Sequence, residues 1–252
     1  MNFTELRRKD VVLAAIAPGI DKRFPSAVTA HPLADSASVI SHLVTCLESL
    51  KNGHLALAEL GNAYAANVML RVFLEHFLKA LAVFLEGSKQ KNDLASGYFR
   101  LAEAEAKAYL NALKDASIDE TEMTGSPMSP LFSKGNALTK SEKSKIEEPF
   151  KYKVLIKTIT DDLGPKASGY LLKIIPTYCK LSGFVHGGPS TSLILMDSSY
   201  GSQEEQLLDD AALVVSKFYS VKHYLLMFAA SLNPEFEVER DKLSKAIKKL
   251  DL

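Results

Sequence analysis

The chain has 252 residues, 47% of them hydrophobic, and its 30 basic and 30 acidic residues give a formal net charge of zero. This hydrophobic fraction excludes a wholly disordered chain, and the length suits one large domain or two small ones. Zero net charge excludes a global basic field, so any contact with RNA or DNA has to be local. Two cysteines without a CxxC motif exclude a thiolate-rich zinc site and a disulfide scaffold, which favours a reducing, cytoplasmic setting.

The N-terminal residues 1–34 predict one short helix followed by a loop. Thr4 can cap this helix, and Pro18 is expected to end it. A basic triplet before a short apolar run imitates an export signal, but Glu5 and Asp10 lie in the region that should be positive. We therefore interpret the segment as a helix.

Residues 35–232 predict the helical bundle domain. Asp35 or Ser36 is expected to open a helix whose apolar residues lie at three- and four-residue spacing over 39–50, with Gly53 as its expected end. The next predicted helix, 54–85, is apolar on nearly every face, as is typical of the central helix of a bundle. Four ionisable side chains near its middle make a membrane span unexpected.

Periodicity is lost in the middle of the chain and then returns. A fourth helix is predicted over 96–113. Residues 115–150 are rich in Gly, Pro, Ser and Lys, and predict a long, irregular, mobile insertion that is dispensable for folding. Further helices are predicted over 152–163 and over 168–185, the second with a kink at Pro176.

The C-terminal part of the chain predicts two more helices. Ser202 and Glu205 match a capping box, and a heptad-like apolar seam follows over 207–232. Because such a seam packs on another helix, in this chain or in a partner, it predicts a homodimer. Residues 233–252 predict an amphipathic helix with acids first and lysines last. The fold class is therefore all-α: a multi-helix bundle of at least six helices.

Two polar rows lie on otherwise apolar predicted helices. Arg71 and Glu75 are four residues apart and share a helix face. Tyr178, Ser182 and His186 form a second row with the same spacing. Because an unpaired charge in apolar surroundings is costly, we expect the two rows to face each other in one network.

This network has two interpretations. Buried networks of this composition often only fix the register of helices. Alternatively, His186 beside a carboxylate can act as a general base, and Arg71 can stabilise the charge of a phosphorane transition state. Signatures of Gly-rich nucleotide loops, zinc proteases and serine hydrolases are absent, and neither a metal nor another cofactor is expected.

The same two segments resemble a known pattern. Arg71-Val-Phe-Leu-Glu75-His76 resembles an R-x-x-x-E-H/Y-type helix, and Tyr178 to Gly187 resembles a Y-x-x-L-S-x-x-V-H-G segment. Together they are similar to an uncharacterised bacterial family, known only as a domain of unknown function. That family looks related to the helical HEPN superfamily (higher eukaryotes and prokaryotes nucleotide-binding).

The resemblance implies a helical bundle, often dimeric, in bacterial antiviral-defence or toxin systems. Active HEPN members are metal-independent ribonucleases with an R-x4-6-H motif, which Arg71 and His76 satisfy in sequence. On a straight helix, however, His76 lies roughly 140° around the axis from Arg71. His186, or His76 from a second subunit, is then expected to supply the imidazole.

The leading expectation is a HEPN-like component of a bacterial defence or toxin system, with metal-independent RNA cleavage as its candidate activity. The alternative is a non-catalytic adaptor or regulator that binds a partner protein or a nucleotide, which the zero net charge favours mildly. RNA, a second copy of the chain and a partner protein are the candidate partners. The candidate catalytic residues are Arg71, Glu75 and His186, and the candidate binding residues are Tyr178, Ser182 and His76.

Overall fold

The computed structural model describes residues 1–115, 138–166, 173–185 and 202–251, together with 169 and 171. Within these ranges the chain forms ten α-helices and no strand, so the predicted all-α multi-helix bundle is confirmed. The helices are α1 (Phe3–Ala14), α2 (Ile20–Ala27), α3 (Ala34–Glu59), α4 (Ala63–Ser88), α5 (Asp93–Asp115), α6 (Lys140–Glu147), α7 (Tyr152–Leu163), α8 (Ile174–Val185), α9 (Gln203–Leu232) and α10 (Glu237–Leu250). Single 3₁₀ turns occupy Glu148–Phe150, Gly164–Lys166 and Pro234–Phe236.

Helix α4 lies at the centre of the bundle, as its apolar sequence predicts. It packs against α3, α9, α8 and α7, and makes a smaller contact with α5. Phe73 and Phe77 on this helix are fully buried, and each contributes about 1.5–3 kcal/mol of hydrophobic stabilisation. Polar side chains on α4 therefore have to find partners on the neighbouring helices. Among the described helices, none has the length and apolar content of a membrane span.

The boundary between α3 and α4 differs from the prediction. Helix α3 continues through Gly53 to Glu59, and the chain turns instead at Gly61, where φ is +70°. Only glycine adopts such a conformation without strain, and the Asn62 side chain then caps α4. Gly53 serves a different purpose, because a Cβ atom there would lie 2.5 Å from the terminal methyl carbon of Met69. Its small size lets α3 and α4 approach closely.

The N-terminal region contains a second helix where the sequence predicts only a loop. Gly19 has φ of +64° and precedes α2. Ile20 and Phe24, one turn apart, are both buried. The Phe24 ring makes edge contacts with Phe228 and Phe236, at centroid distances of 5.8 and 5.9 Å. These contacts anchor α2 to the C-terminal part of the chain and outweigh the loop-like composition around it.

Part of the predicted irregular insertion is helical. Residues 116–137 lie outside the described residues, but α6 begins at a capping box between Thr139 and Glu142. Ile146 then packs beside α5 at Gly97, where a Cβ atom would lie 3.3 Å from its Cγ2. The structure thus departs from the prediction over 138–150, because local capping and one apolar contact are enough to fix a short helix.

The apolar seam of α9 is buried within the chain. The apolar positions of the seam that are at most 3% exposed are Leu207, Ala211, Val214, Phe218, Val221, Leu225 and Phe228. Helix α9 packs mainly on α3 and α4. The seam therefore builds the core, and it gives no support to the predicted homodimer.

Candidate functional site

A chain of ion pairs runs along the polar face of α4. Arg71 Nη1 donates to Glu75 Oε2 at 2.8 Å, and Lys79 Nζ donates to Glu75 Oε1 at 2.8 Å. Burial alone would raise the pKa of Glu75, but the hydrogen bonds from Lys79 and Arg71 outweigh it and lower the pKa to about 2. Glu75 is thus ionised at neutral pH, and it orients Arg71 rather than exchanging protons.

Arg71 also joins α4 to α8. Its Nε donates to Ser182 Oγ at 3.0 Å, and its guanidinium carbon lies 3.7 Å from the centroid of the Tyr178 ring. The predicted contact between the two polar rows is therefore confirmed for Arg71 with Tyr178 and Ser182, whereas Glu75 is joined to the second row only through Arg71. His186 lies outside the described residues.

The start of α8 explains how it presents these side chains. The described helix begins at Ile174, so Pro176 lies in its first turn, where proline is tolerated without a kink. Ile174 and Leu181 are buried against the core. Tyr178, only 7% exposed, and Ser182 then lie against Arg71 at the edge of that buried face.

Tyr152 is a member of the cluster that sequence reasoning missed. Its ring is parallel to that of Tyr178, with centroids 3.8 Å apart and an interplanar angle of 2°. The Tyr152 hydroxyl donates to the Ile175 carbonyl at 3.4 Å and lies 3.7 Å from Cys179 Sγ. Arg71, Tyr178 and Tyr152 therefore form one stack that joins α4, α8 and α7. Cation–π and aromatic pairs of this kind contribute about 0.5–2 kcal/mol each.

His76 is not brought into this stack. Its Nδ1 donates to the Val72 carbonyl at 2.9 Å, one turn back along α4. Burial is the main cause that lowers the pKa of His76, so the ring is neutral at pH 7. The geometry agrees with the angular separation from Arg71 that helical spacing predicts.

One described pocket borders the stack, and a second shares two lining residues with the first. The first, which we call the Arg71 pocket, has a volume of about 250 Å³, and its lining includes Arg71, Glu75, Lys151, Tyr152 and Tyr178. The second, the Tyr98 pocket, has a volume of about 380 Å³, and its lining includes Lys79, Tyr98, Ala102, Glu105 and Glu147. Phe150 and Lys151 line both pockets. The Phe150 ring meets Tyr98 edge to face, with centroids 5.9 Å apart.

A separate buried cluster joins α1, α3 and α9. Lys51, which is 2% exposed, forms an ion pair with Asp10, and the Tyr219 hydroxyl donates to Asp10 Oδ1 at 2.7 Å. Lys51 Nζ also lies 4.8 Å from the centroid of the Phe218 ring. Neither described pocket is lined by these residues. The cluster therefore anchors α1 to the bundle, and no sequence signal other than the charges themselves pointed to it.

The Arg71 cluster suits binding more directly than proton transfer. A guanidinium, a lysine and two tyrosine rings can hold a flat group and an anion together. Within the described parts of the chain, no three His, Cys, Asp or Glu side chains are placed to hold a metal ion.

The chain matches no family model, no curated protein and no solved structure. The similarity to the HEPN superfamily thus rests on the two sequence segments alone, and any function has to be argued from the site.

Proposed function

We propose that the chain is a HEPN-like component of a bacterial antiviral-defence or toxin system that binds a nucleotide unit, free or within RNA, in the Arg71 pocket. The observation that carries this proposal is the stack of Arg71 on Tyr178 and Tyr152 at the wall of that pocket. Arginine and aromatic side chains are the groups on which proteins stack unpaired bases.

The contacts of Arg71 support a binding role because they hold its guanidinium in one orientation. Ser182 accepts from Nε, Glu75 accepts from Nη1, and Tyr178 covers one face. Little conformational entropy is then lost when a ligand contacts this cation. Lys151 borders the same pocket and supplies a second, more mobile cation, since its side chain is 59% exposed.

Metal-independent RNA cleavage at the same place is the second candidate function. It is favoured by the contact of Arg71 with Ser182, which belongs to the same Y-x-x-L-S-x-x-V-H-G segment as His186. In this mechanism His186 takes the proton of a ribose 2′-hydroxyl, whose oxygen attacks the adjacent phosphorus, and Arg71 stabilises the phosphorane. The P–O5′ bond then breaks, which leaves a 2′,3′-cyclic phosphate and a 5′-hydroxyl that takes the proton back from His186. Glu75 holds Arg71 and transfers no proton, because its pKa is about 2.

The proposal has three further parts: a homodimer and a partner protein of the same defence system, which the resemblance implies, and a cytoplasmic location, which the two cysteines without a CxxC motif favour. Light scattering tests the first of these, since a monomer has a mass of 27.6 kDa. A mass near twice that value supports the dimer, and the monomer mass at high concentration rejects it.

The binding proposal is tested by comparing Arg71→Ala with a matched control, Arg23→Ala. Arg23 likewise forms an ion pair, with Glu239 at 2.8 Å, and lies 5.8 Å from the Phe236 ring centroid, but on other helices. We expect Arg71→Ala to weaken nucleotide binding at least about tenfold, the loss of roughly one charged contact, and Arg23→Ala to leave it unchanged. Equal binding by wild type and Arg71→Ala would reject the proposal.

Cleavage is assayed with a single-stranded RNA in the presence of a chelator. Cleavage by the wild type that His186→Gln abolishes, with binding retained, would establish the ribonuclease. Binding without cleavage would leave the adaptor or regulator as the function.

A further inference from the structure

We infer that the natural ligand carries two bases joined by a phosphodiester, one base in the Arg71 pocket and the other in the Tyr98 pocket. This inference rests on the proposed nucleotide binding and specifies the class of ligand. It needs the second pocket, which the proposed function does not use.

The two pockets are neighbouring parts of one groove. Phe150 and Lys151 line both, so these two residues form the ridge between them. Helix α4 contributes Arg71 to one pocket and Lys79 to the other. Eight residues along a helix span about 12 Å, so a ligand that reaches both cations has to extend over about that distance.

The volumes favour a ligand that fills both pockets. Ligand sites usually have volumes of about 300–1,000 Å³. The Arg71 pocket, at about 250 Å³, falls below this range, and the Tyr98 pocket, at about 380 Å³, lies near its lower end. Each pocket also has its own aromatic pair, Tyr152 with Tyr178 in one and Tyr98 with Phe150 in the other. The two rings of each pair contact each other, and Arg71 covers one face of Tyr178, so a base in either pocket has to pack on the outer side of its pair.

The charges favour a ligand with little net charge. Three cations line the groove, and three carboxylates accompany them: Arg71, Lys79 and Lys151 with Glu75, Glu105 and Glu147. A nucleoside triphosphate would bring several negative charges into this balanced lining. A phosphodiester between two neutral nucleosides brings only one.

Lys151 is placed to bind that phosphodiester. It lies on the ridge between the pockets, and its ion pair with Glu148 joins two side chains that are both more than half exposed. Exposed pairs of this kind contribute little to stability, because water screens both charges. Lys151 can therefore exchange Glu148 for a phosphate at little cost.

The experiment compares the affinities of wild-type chain for a nucleoside monophosphate, a linear dinucleotide, a cyclic dinucleotide, a six-nucleotide RNA and a nucleoside triphosphate by calorimetry. We expect the dinucleotides to bind at least about tenfold more tightly than the monophosphate, and the triphosphate to show no such gain. Tightest binding of the six-nucleotide RNA would assign the site to an RNA strand. Tightest binding of either dinucleotide would assign it to a free dinucleotide.

Variants of the Tyr98 pocket separate this inference from the proposed function. Tyr98→Ala and Ala102→Phe, the second of which fills the pocket without deleting a core contact, should remove the dinucleotide gain and leave monophosphate binding unchanged. The exposed Tyr64 provides the control Tyr64→Ala, which should retain the gain. A dinucleotide that binds no more tightly than the monophosphate would overturn the inference but not the proposed function. Absence of binding by every nucleotide would overturn both.

Discussion

At the scale of single residues, Arg71 illustrates how a cation is held in an apolar bundle. Its side chain is only 14% exposed, and it combines a carboxylate, a hydroxyl and an aromatic face. Glu75 in turn accepts from both Arg71 and Lys79. Removal of Arg71 therefore leaves Glu75 with Lys79 as a partner. The loss in the free energy of unfolding is then smaller than for a buried carboxylate that has no partner left.

We accordingly predict that Arg71→Ala lowers the free energy of unfolding by about 2 kcal/mol, from the lost ion pair and cation–π contact. Arg23→Ala, which removes a side chain that is 48% exposed, should cost less than about 1 kcal/mol. Urea denaturation measures both values. Equal costs for the two variants would show that the Arg71 network is no more than a surface ion pair.

A second residue-scale prediction concerns His54, which is fully buried. Its Nδ1 donates to the Ala66 carbonyl at 2.9 Å, and its Nε2 has no hydrogen-bond partner among the described residues. Burial lowers the pKa of His54 from 6.5 to about 4. Between these values the unfolded chain binds a proton that the folded chain does not, so stability falls as the pH drops from 6.5 to 4.

The expected loss over that interval is about 3 kcal/mol, at 1.36 kcal/mol for each pKa unit. His54→Gln should lose correspondingly less, because glutamine does not titrate. Urea unfolding at pH 7 and at pH 4.5 tests this. An identical pH dependence in His54→Gln and wild type would refute the assignment.

At the scale of helices, the sequence predicted most elements but not all of their ends. Periodicity identifies a helix because one face is buried, and this holds for α3, α4 and α9. The residue at which a helix ends depends on tertiary contacts, and the hydrophobic periodicity of the sequence does not record them. Gly53 resembles a stop in sequence, yet it is a close packing position, and Gly61 is where the chain turns.

These two glycines give an element-scale prediction. Gly53→Ala gains about 1 kcal/mol of helix propensity and has only to displace the flexible end of Met69. Its stability should therefore stay within about 1 kcal/mol of wild type. Gly61→Ala places a Cβ at φ of +70° and should cost about 1–2 kcal/mol. Thermal unfolding of the two variants measures both changes in stability. A larger loss of stability in Gly53→Ala than in Gly61→Ala would contradict this prediction.

The candidate site was predictable only in part, for the same reason. The four-residue spacing places each polar row on one face of its helix, and an unpaired charge among apolar residues is costly in free energy. These two facts predict the contacts of Arg71 with Tyr178 and Ser182. No spacing relates Tyr152 to Tyr178, since their contact depends on how α7 packs beside α8. The second pocket was missed likewise, because α6 and the turn after it lie in a segment that lacks periodicity.

At the scale of the whole molecule, the groove formed by the Arg71 and Tyr98 pockets is lined by equal numbers of cations and carboxylates, just as the chain has zero net charge. Cations and carboxylates alternate there, so recognition has to come from stacking and directed hydrogen bonds rather than from a long-range field. Binding should consequently depend only weakly on salt, unlike that of proteins which neutralise many phosphates. The buried seam of α9 also means that any dimer has to use another surface.

The most direct test of nucleotide binding at the Arg71 cluster is photocrosslinking. A dinucleotide carrying 4-thiouracil is irradiated with the wild-type chain, with Arg71→Ala and with Arg23→Ala, and the crosslinked peptides are identified by mass spectrometry. We expect crosslinks in the peptides that carry Tyr152 and Tyr178, and we expect them to be lost in Arg71→Ala and retained in Arg23→Ala. Crosslinks confined to other peptides, or equal yields from all three chains, would contradict it.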